Sequence, residues 1–313
     1  MLIVFPGQGS QKIGMGKDIF DNFAAAREVF NEVDDAIDFK LSDLIFYGDP
    51  EELKATQNTQ PALMTVSMAL VRVLAAEFGF DVNQAKYLAG HSLGEYTALC
   101  ASGVLSLRDT AKILRIRGSA MASAFPEGGA MAAILGLDPE VVQEIVECIS
   151  TEENSVQIAN DNSVGQIVIS GHQDAVTQAM AKAVEKGARR ALPLQVSGPF
   201  HSKLMQPAVE KLQEVLECVE FCEPKTPIIS NVTAKAETSN FKDLLLKQVT
   251  GQVRWREGVL FAEQQGVTNC IEIGEGAVLT GLVKRISSGM KLHNINSMDS
   301  LSKINEIRES ISC

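Results

Sequence analysis

Apolar residues form one short run at the start of the chain and longer helical repeats after it. The run Leu2–Phe5 predicts a short buried strand, and the glycine-rich stretch PGQGSQKIGMG after it predicts a turn close to a bound group. From Asp18, apolar side chains recur every three to four residues and predict an inward-facing helix. A second helix, PALMTVSMALVRVLAAEF with Pro61 in its first turn, is apolar on most sides and is expected deep in the core.

The pattern changes after the stretch FPEGG near residue 126. The predicted elements there are strand 131–137, helix 139–149, strand 156–159, strand 166–170, helix 175–186 and strand 189–194. This order is βαββαβ, the split ferredoxin-like unit. A small subdomain formed by residues 127–197 is therefore predicted.

Strands and helices alternate on both sides of this unit. The predicted elements are a strand leading into Ser92, helices 93–101 and 106–123, helix 204–219, strand 227–230, helices 241–249 and 258–265, strand 270–273 and helix 278–286. This alternation indicates an α/β protein with a mainly parallel sheet. Residues 1–126 and 198–313 are predicted to form this large subdomain, which the small one interrupts.

Composition narrows the class of protein. With 313 residues, 45% hydrophobic and 21% charged, the chain has enough apolar material for a substantial core. A net charge of -11 disfavours binding to nucleic acids or anionic membranes, and no later apolar run is expected to approach the ~20 residues needed to cross a bilayer. The cysteines, expected to be reduced thiols, are scattered at Cys100, Cys148, Cys218, Cys222, Cys270 and Cys313. These features predict a cytoplasmic protein.

Candidate chemistry begins at the stretch YLAGHSLGEY. Gly90 and Gly94 flank Ser92 at a predicted strand-to-helix junction, which is the pattern of a nucleophile elbow. The N–H of Leu93 would then lie at a helix start, where it favours a developing oxyanion. The alternative is a chance match, which the strand-to-helix setting makes less frequent.

A nucleophilic serine needs a base, and the candidates are His91, His172, His201 and His293. His201, in SGPFHS, is favoured because it lies on a loop where the chain returns to the large subdomain. A surface or capping role is expected for His172 and His293, and support of the turn for His91. The residues do not select an acid to orient the base: Asp109, Asp138, Asp161 and Asp174 all qualify by position.

Two arginines, Arg115 and Arg117, occur in one apolar helix. They point roughly 200° apart, so only one of them can face the interior. An arginine near a nucleophilic serine would bind a carboxylate or phosphate with two parallel hydrogen bonds. The alternative is that both are solvated surface residues.

Six strings occur in register along the chain: FPGQGSQ, GHSLGEYTAL, RIRG, NDNSVGQIVISG, GPFHS and VRW. From Phe5 to about Ile286, the chain resembles the malonyl-coenzyme A:acyl carrier protein transacylases of bacterial type II fatty acid synthesis. The resemblance implies an α/β-hydrolase-like large subdomain and an inserted ferredoxin-like small one, in agreement with the order of elements. It places the active site between them.

The resemblance also implies a mechanism. Ser92 would attack the thioester and form a malonyl-enzyme, while His201 acts as base and then as acid. The phosphopantetheine thiol of acyl carrier protein would then accept the malonyl group in ping-pong transfer. His201 would be oriented by a main-chain carbonyl near Gln248 instead of a carboxylate, which gives a Ser-His dyad.

Further site residues follow from the same resemblance. Gln8 and the Leu93 N–H would form the oxyanion hole, and Arg117 would pair with the malonyl carboxylate. Asn160, and with it Asn162, would lie near the bound acyl group, although a turn role for NDNS is equally compatible. Phe200 would leave little room for a 2-methyl branch.

The implied partners are malonyl-CoA and acyl carrier protein, with a monomeric enzyme and no metal or organic cofactor. Because carrier proteins are acidic and this chain is acidic too, docking would need a local basic patch. Its candidates are Lys182, Lys186, Arg189, Arg190, Lys284 and Arg285. Three alternatives stay open from sequence: a serine hydrolase or thioesterase on the same dyad, an acyltransferase of polyketide synthesis, and a non-catalytic carrier-binding scaffold.

Overall fold

The structure is a computed structural model that describes residues 1–312; Cys313 lies outside the described residues. Its strands are β1 (Leu2–Phe5), β2 (Tyr87–Gly90), β3 (Gly129–Leu135), β4 (Val156–Ser163), β5 (Gln166–His172), β6 (Arg190–Pro193), β7 (Ile228–Ile229), β8 (Ala236–Glu237), β9 (Asn269–Ile273) and β10 (Lys291–Ile295). Within residues 1–312 these strands form two separate sheets.

The helices surround and connect the two sheets. They are α1 (Lys17–Asn22), α2 (Ala24–Ile37), α3 (Leu41–Tyr47), α4 (Pro50–Lys54), α5 (Thr56–Phe78), α6 (Leu93–Ala101), α7 (Leu107–Ala124), α8 (Pro139–Ile149), α9 (Gln173–Glu185), α10 (Gln206–Glu217), α11 (Phe241–Thr250), α12 (Trp255–Gln264), α13 (Val278–Ile286), α14 (Met298–Ser302) and α15 (Ile304–Ser312). Short 3₁₀ turns occur at Val82–Gln84 and Lys203–Met205.

The larger sheet has the order β10-β9-β1-β2-β7-β8. Its strands pair in parallel except β8, which is antiparallel to β7. A parallel sheet is covered by helices on both faces, which explains why β1 is apolar at every position. Ile3 and Phe5 pack into one hydrophobic cluster, whereas Leu2 and Val4 pack into another. The prediction of an α/β fold with a mainly parallel sheet is confirmed.

The smaller sheet is antiparallel, with the order β4-β5-β3-β6. Together with α8 and α9 it realises the predicted βαββαβ order and has its own core, in which Val142, Ile145 and Ile169 are buried. The strand predicted to end at Ala159 continues to Ser163, and the turn follows it. The turn interpretation of NDNS is therefore wrong, because these residues continue the ladder with β5.

Two helix predictions need correction. The helix expected from Asp18 is divided at Phe23, whose extended backbone (φ -123°, ψ 129°) separates α1 from α2. The proline expected in a first turn, Pro61, lies inside α5. Proline has no N–H to donate to the carbonyl four residues earlier. That carbonyl, of Gln57, instead accepts a hydrogen bond of 3.2 Å from Arg115 on α7.

Helix α5 crosses α7 at very short range. A Cβ atom on Gly118 would lie 2.5 Å from the main-chain oxygen of Thr56, so only glycine allows this approach.

Contrary to the expectation from sequence, α5 is long and apolar enough to cross a membrane by length and composition. However, 72% of its most apolar window is buried in this fold, as in a core helix.

None of the five cysteines that the structure describes forms a disulfide bond. Cys100 and Cys270 are buried free thiols, and the three exposed thiols Cys148, Cys218 and Cys222 are free as well. Burial raises the pKa of the Cys100 thiol to about 11, so this group stays protonated at neutral pH.

Candidate active site

Ser92 lies in a tight turn between β2 and α6. Its backbone has φ 53° and ψ -106°, a conformation that L-residues rarely adopt. A Cβ atom on Gly90 would lie 1.9 Å from the carbonyl group of Gly94, and one on Gly94 would lie 2.3 Å from the carbonyl oxygen of Phe5. The two glycines are therefore required by backbone contacts, and the predicted strand-turn-helix arrangement is present.

His201 faces this serine from the loop after β6. Its Nε2 lies 2.8 Å from Ser92 Oγ, and its Nδ1 lies 2.8 Å from the main-chain oxygen of Gln248. Because the carbonyl can only accept, Nδ1 carries the proton and Nε2 is free to accept one from the serine. The orienting group is thus a main-chain carbonyl, as the resemblance implied.

The electrostatic surroundings keep His201 neutral. Burial and, second to it, the nearby charge of Arg117 together lower the pKa of His201 to about 3. A neutral imidazole at pH 7 is the form that can remove the proton of Ser92.

Arg117 reaches the same hydroxyl from α7 and is only 1% exposed. Its Nη2 donates to Ser92 Oγ at 3.1 Å and to Gln248 Oε1 at 2.9 Å, and its Nη1 donates to Gln60 Oε1 at 2.7 Å. Its Nε–H has no partner among the described residues. Arg115 points the other way, onto the ring of Phe39. Only one of the two arginines is therefore at the site, as the helix geometry required.

The two predicted oxyanion-hole groups border the same cavity. Leu93 is the first residue of α6, where main-chain N–H groups lack helical partners. Gln8 is exposed on the glycine-rich loop at the cavity mouth. A Cβ atom on Gly7 would lie 2.8 Å from the main-chain oxygen of His91, so this loop contacts the elbow closely.

The cavity has a volume of about 290 Å³ and lies between the two sheets. It is lined by Phe200, Asn160, Met121 and Met131, among others. Phe200 is 7% exposed and Asn160 is 6% exposed. Asn162 is not among its lining residues. Its Oδ1 lies 2.8 Å from Nε2 of His91, and His91 itself lines the cavity next to Ser92.

The other histidines lie elsewhere. His172 precedes α9, and its Nδ1 accepts a 2.9 Å hydrogen bond from the Ser155 N–H. His293 is on β10. Among the candidate acids, Asp161 pairs with Arg256 at 2.7 Å and Asp109 accepts from Ser106. None of these contacts involves His201.

Besides Gln60, which accepts a hydrogen bond from Arg117, two further buried residues of the site were missed from sequence. Glu95, in the first turn of α6, is 1% exposed and accepts a 2.6 Å hydrogen bond from Gln248 Nε2. Asn231 accepts from the Ser92 N–H at 2.7 Å and donates to the Gly90 carbonyl at 2.7 Å. An acid within the otherwise apolar LGEYTALCA was the available signal for the first, and a polar residue directly after a buried strand for the second.

Comparison with known proteins places this geometry in a family. The profile of the acyl transferase domain family matches residues 2–303. A relative from Bacillus subtilis, named malonyl CoA-acyl carrier protein transacylase, is 48% identical over 291 residues, which cover 92% of this chain and 90% of that protein. The chain belongs to the malonyl-CoA:acyl carrier protein transacylase family. The family resemblance stated from sequence is confirmed, and the chain is an acyltransferase.

Solved structures agree with this transacylase assignment. An acyl-carrier-protein S-malonyltransferase from Bartonella henselae superposes with a TM-score of 0.94 at 50% identity, covering 98% of each chain. A malonyl transacylase solved in complex with a type II polyketide synthase acyl carrier protein has a TM-score of 0.93 at 41% identity, covering 98% of this chain and 99% of that one. The predicted two-subdomain transacylase fold is confirmed.

Proposed function

We propose that this protein transfers a malonyl group from malonyl-CoA to the phosphopantetheine thiol of acyl carrier protein through a malonyl ester on Ser92. One observation carries the proposal: Ser92 Oγ lies within hydrogen-bonding distance of both His201 Nε2 and Arg117 Nη2. A neutral base beside a hydroxyl supplies acyl transfer chemistry. A buried guanidinium at the same position favours an acyl group that ends in a carboxylate.

In the first half-reaction, Ser92 Oγ attacks the thioester carbonyl carbon while its proton moves to His201 Nε2. The carbonyl oxygen becomes negatively charged and is stabilised by the Leu93 N–H and by Gln8, where one such donor typically contributes about 3 to 4 kcal/mol. The C–S bond then breaks, and the imidazolium returns the proton to the leaving sulfur of coenzyme A.

The second half-reaction reverses these steps with a different thiol. His201 removes the proton from the phosphopantetheine thiol, and the sulfur attacks the malonyl ester carbon. The C–O bond to Ser92 breaks, and the proton passes from His201 Nε2 to Ser92 Oγ. One imidazole therefore acts as base and acid in turn.

The acyl group would be selected by three parts of the cavity. Arg117 pairs with the distal carboxylate, Phe200 limits the space beside the 2-carbon, and Asn160 lies on the wall formed by β4. Residues 127–197 would form the inserted subdomain that carries this wall. The product would supply fatty acid synthesis; supply of a polyketide synthase is the alternative with the same chemistry.

The carrier protein would dock on a basic patch beside the cavity. The candidates, all exposed, are Lys182, Lys186, Arg189, Arg190, Lys284 and Arg285. A similar malonyl transacylase was solved in complex with a type II polyketide synthase acyl carrier protein, which supports an acyl carrier protein as the partner. The apparent KM for carrier protein should rise with salt, because screening weakens contacts between exposed charges. A KM independent of salt would contradict this docking mode.

Three further statements belong to the same proposal. The enzyme would act as a monomer, without a metal or an organic cofactor. It would act in the cytoplasm, where thiols remain reduced, in keeping with the five described free cysteines.

The decisive experiment is intact-protein mass spectrometry after incubation with malonyl-CoA. Wild-type protein should carry one malonyl group, and Ser92→Ala should carry none. Addition of phosphopantetheinylated carrier protein should remove the group from the enzyme and transfer it to the carrier. A malonyl adduct on both proteins would exclude Ser92 as the attachment site.

A serine hydrolase on the same dyad is the rival function. It would release malonate to water without a need for the carrier thiol, and it would have no use for a buried guanidinium. Arg117→Ala should lower kcat/KM for malonyl-CoA relative to acetyl-CoA by about a hundredfold, since a charge-assisted pair is lost. Arg115→Ala is the matched control on the same helix, and a retained preference in Arg117→Ala would contradict the assigned role.

A further inference from the structure

The side-chain amide of Gln248 joins Arg117 to Glu95 in the buried part of the site. Gln248 Oε1 accepts from Arg117 Nη2 at 2.9 Å, and Gln248 Nε2 donates to Glu95 Oε2 at 2.6 Å. Arginine can only donate, so the atom of the amide that faces it must be the oxygen. The nitrogen is therefore forced toward Glu95, and the amide has one allowed orientation.

Gln248 contacts the two functional parts of the site, the histidine arm (His201) and the arginine arm (Arg117), through different atoms. Its main-chain oxygen holds His201 Nδ1, whereas its side chain holds Arg117. A change that reorients only the side chain would disturb the arginine and leave the histidine in place. The two arms are thus separable by experiment.

Glu95 is 1% exposed, so its carboxylate interacts with neighbouring protein groups and not with solvent. Its Oε2 also accepts from the Asn231 N–H at 3.1 Å. Without an acceptor at this point, the Gln248 Nε2 would be left with the Ser92 carbonyl at 3.1 Å and a distant Asn231 Oδ1 at 3.5 Å. A buried donor with weakened partners favours a different rotamer.

We infer that Glu95 is a positioning residue for acyl selectivity: its Oε2 fixes the amide of Gln248, which in turn holds the Arg117 guanidinium where a malonyl carboxylate binds. This inference rests on the proposed function. What Glu95 contributes is an acceptor atom at a fixed place, and its negative charge is not required. Burial raises the pKa of Glu95 to about 7, so protonated and ionised forms are both present near neutral pH, and Oε2 can accept in each.

Two conservative variants separate position from charge. Glu95→Gln removes the charge but can keep an acceptor oxygen in the place of Oε2. Glu95→Asp keeps the charge but withdraws the carboxylate by about 1.5 Å, one carbon–carbon bond. The readout is the ratio of kcat/KM for malonyl-CoA to that for acetyl-CoA in formation of the acyl-serine, with melting temperatures recorded in parallel.

In Glu95→Asp the ratio should fall at least about tenfold, because the amide that holds Arg117 loses its acceptor. Acetyl transfer should change less, because the Asn231 side chain keeps its own bonds to the Ser92 N–H and the Gly90 carbonyl. In Glu95→Gln the ratio should stay within about threefold of wild type, because the acceptor is retained. The reverse order would show that charge is what matters and would overturn the inference. So would lowered melting temperatures with unchanged ratios in both variants, the mark of a purely structural residue.

Wild-type protein is measured first. If it forms no malonyl-serine, the proposed function fails, whereas normal wild-type transfer with an unchanged ratio in Glu95→Asp overturns this inference alone. If one variant does not fold, the other decides: a reduced ratio in Glu95→Gln, or an unaltered one in Glu95→Asp, contradicts the proposal.

Discussion

The two sheets contribute unequally to the cavity between them. The large parallel unit supplies Ser92, His201 and Arg117, and their polar atoms are joined through Gln248 in one buried network. The antiparallel unit supplies Asn160 and apolar groups such as Met131. The reactive groups are thus held by the large unit, whose sheet is packed against helices on both faces. The small sheet closes the space around the acyl group.

A few polar contacts join the two units. Gln157 on β4 donates to the main-chain oxygens of His201 at 3.2 Å and Thr250 at 3.1 Å. Asp161, on the same strand, forms its ion pair with Arg256 on α12. The small unit is thereby fixed against the loop that carries His201 and against the end of α11, the helix that carries its carbonyl partner Gln248. The difference between the two units can be tested by comparable changes on each side.

The largest effect is expected from matched alanine substitutions. His201→Ala should slow acylation by malonyl-CoA by about a thousandfold, because it removes the base. Asn160→Ala should slow it by at most about tenfold, because one wall contact is lost while the reactive groups stay in place. Rapid-quench measurement of acyl-serine formation gives both rates. Losses of similar size would show that the small unit takes part in the chemistry.

The pH profile tests whether the parallel unit keeps His201 neutral. A histidine with the ordinary pKa of 6.5 would be about 97% protonated at pH 5 and would slow acylation about thirtyfold. With its pKa lowered to about 3, His201 stays neutral and the rate at pH 5 should be within about twofold of that at pH 7. The acylation burst should be measured from pH 4.5 to 8.

Burial raises the pKa of Glu95 to about 7, which lies within this pH range. The same profile in Glu95→Gln separates the two groups, since an ionisation that disappears in this variant belongs to Glu95. A wild-type ionisation near 6.5 that persists in the variant would contradict a neutral, buried base.

The smallest effect concerns the ion pair between the two units. Burial raises the pKa of Asp161 more than Arg256 lowers it, whereas the same carboxylate raises the pKa of Arg256. The desolvation cost falls on the aspartate because its side chain is 3% exposed and that of the arginine 23%. The pair therefore stabilises the junction only modestly, and Asp161→Asn should lower the free energy of unfolding by about 1 to 2 kcal/mol.

Asp299→Asn is the matched control for this substitution. Asp299 pairs with Lys303 on the surface, where its side chain is 81% exposed. Urea denaturation should show a loss below about 0.5 kcal/mol for this variant. Equal losses in the two variants would mean that the junction gains nothing from its buried carboxylate.

Much of the fold was predictable because its elements have local signals. The apolar run of β1, the βαββαβ order and the helix at residues 93–101 all appear in the structure. The misses have physical reasons. Phe23 divides a continuous apolar pattern without a glycine or proline to mark the break. Pro61 is tolerated in α5 because a distant residue, Arg115, binds the carbonyl that the proline leaves free.

The candidate site, like the fold, could be predicted from sequence only in part. The glycines around Ser92 and the loop of His201 predicted where reactive groups would lie. Whether Arg115 or Arg117 faces inward was settled from sequence only by resemblance, because helix geometry shows that they diverge and not which one is buried. Glu95 and Gln60 were missed because their partners are remote in sequence, and no periodic pattern reports a hydrogen bond across 153 or 57 residues.

The close crossing of α5 and α7 has a consequence for the choice of acyl group. The carbonyl of Thr56 bears directly on Gly118, the neighbour of Arg117, with no side chain between the helices. The position of the Arg117 guanidinium relative to the cavity therefore depends on a contact between the main chains of the two helices. Even a single methyl group at position 118 would push the two helices apart and displace Arg117. The enzyme would then distinguish malonyl from acetyl groups less well, although no atom that touches the thioester would have changed.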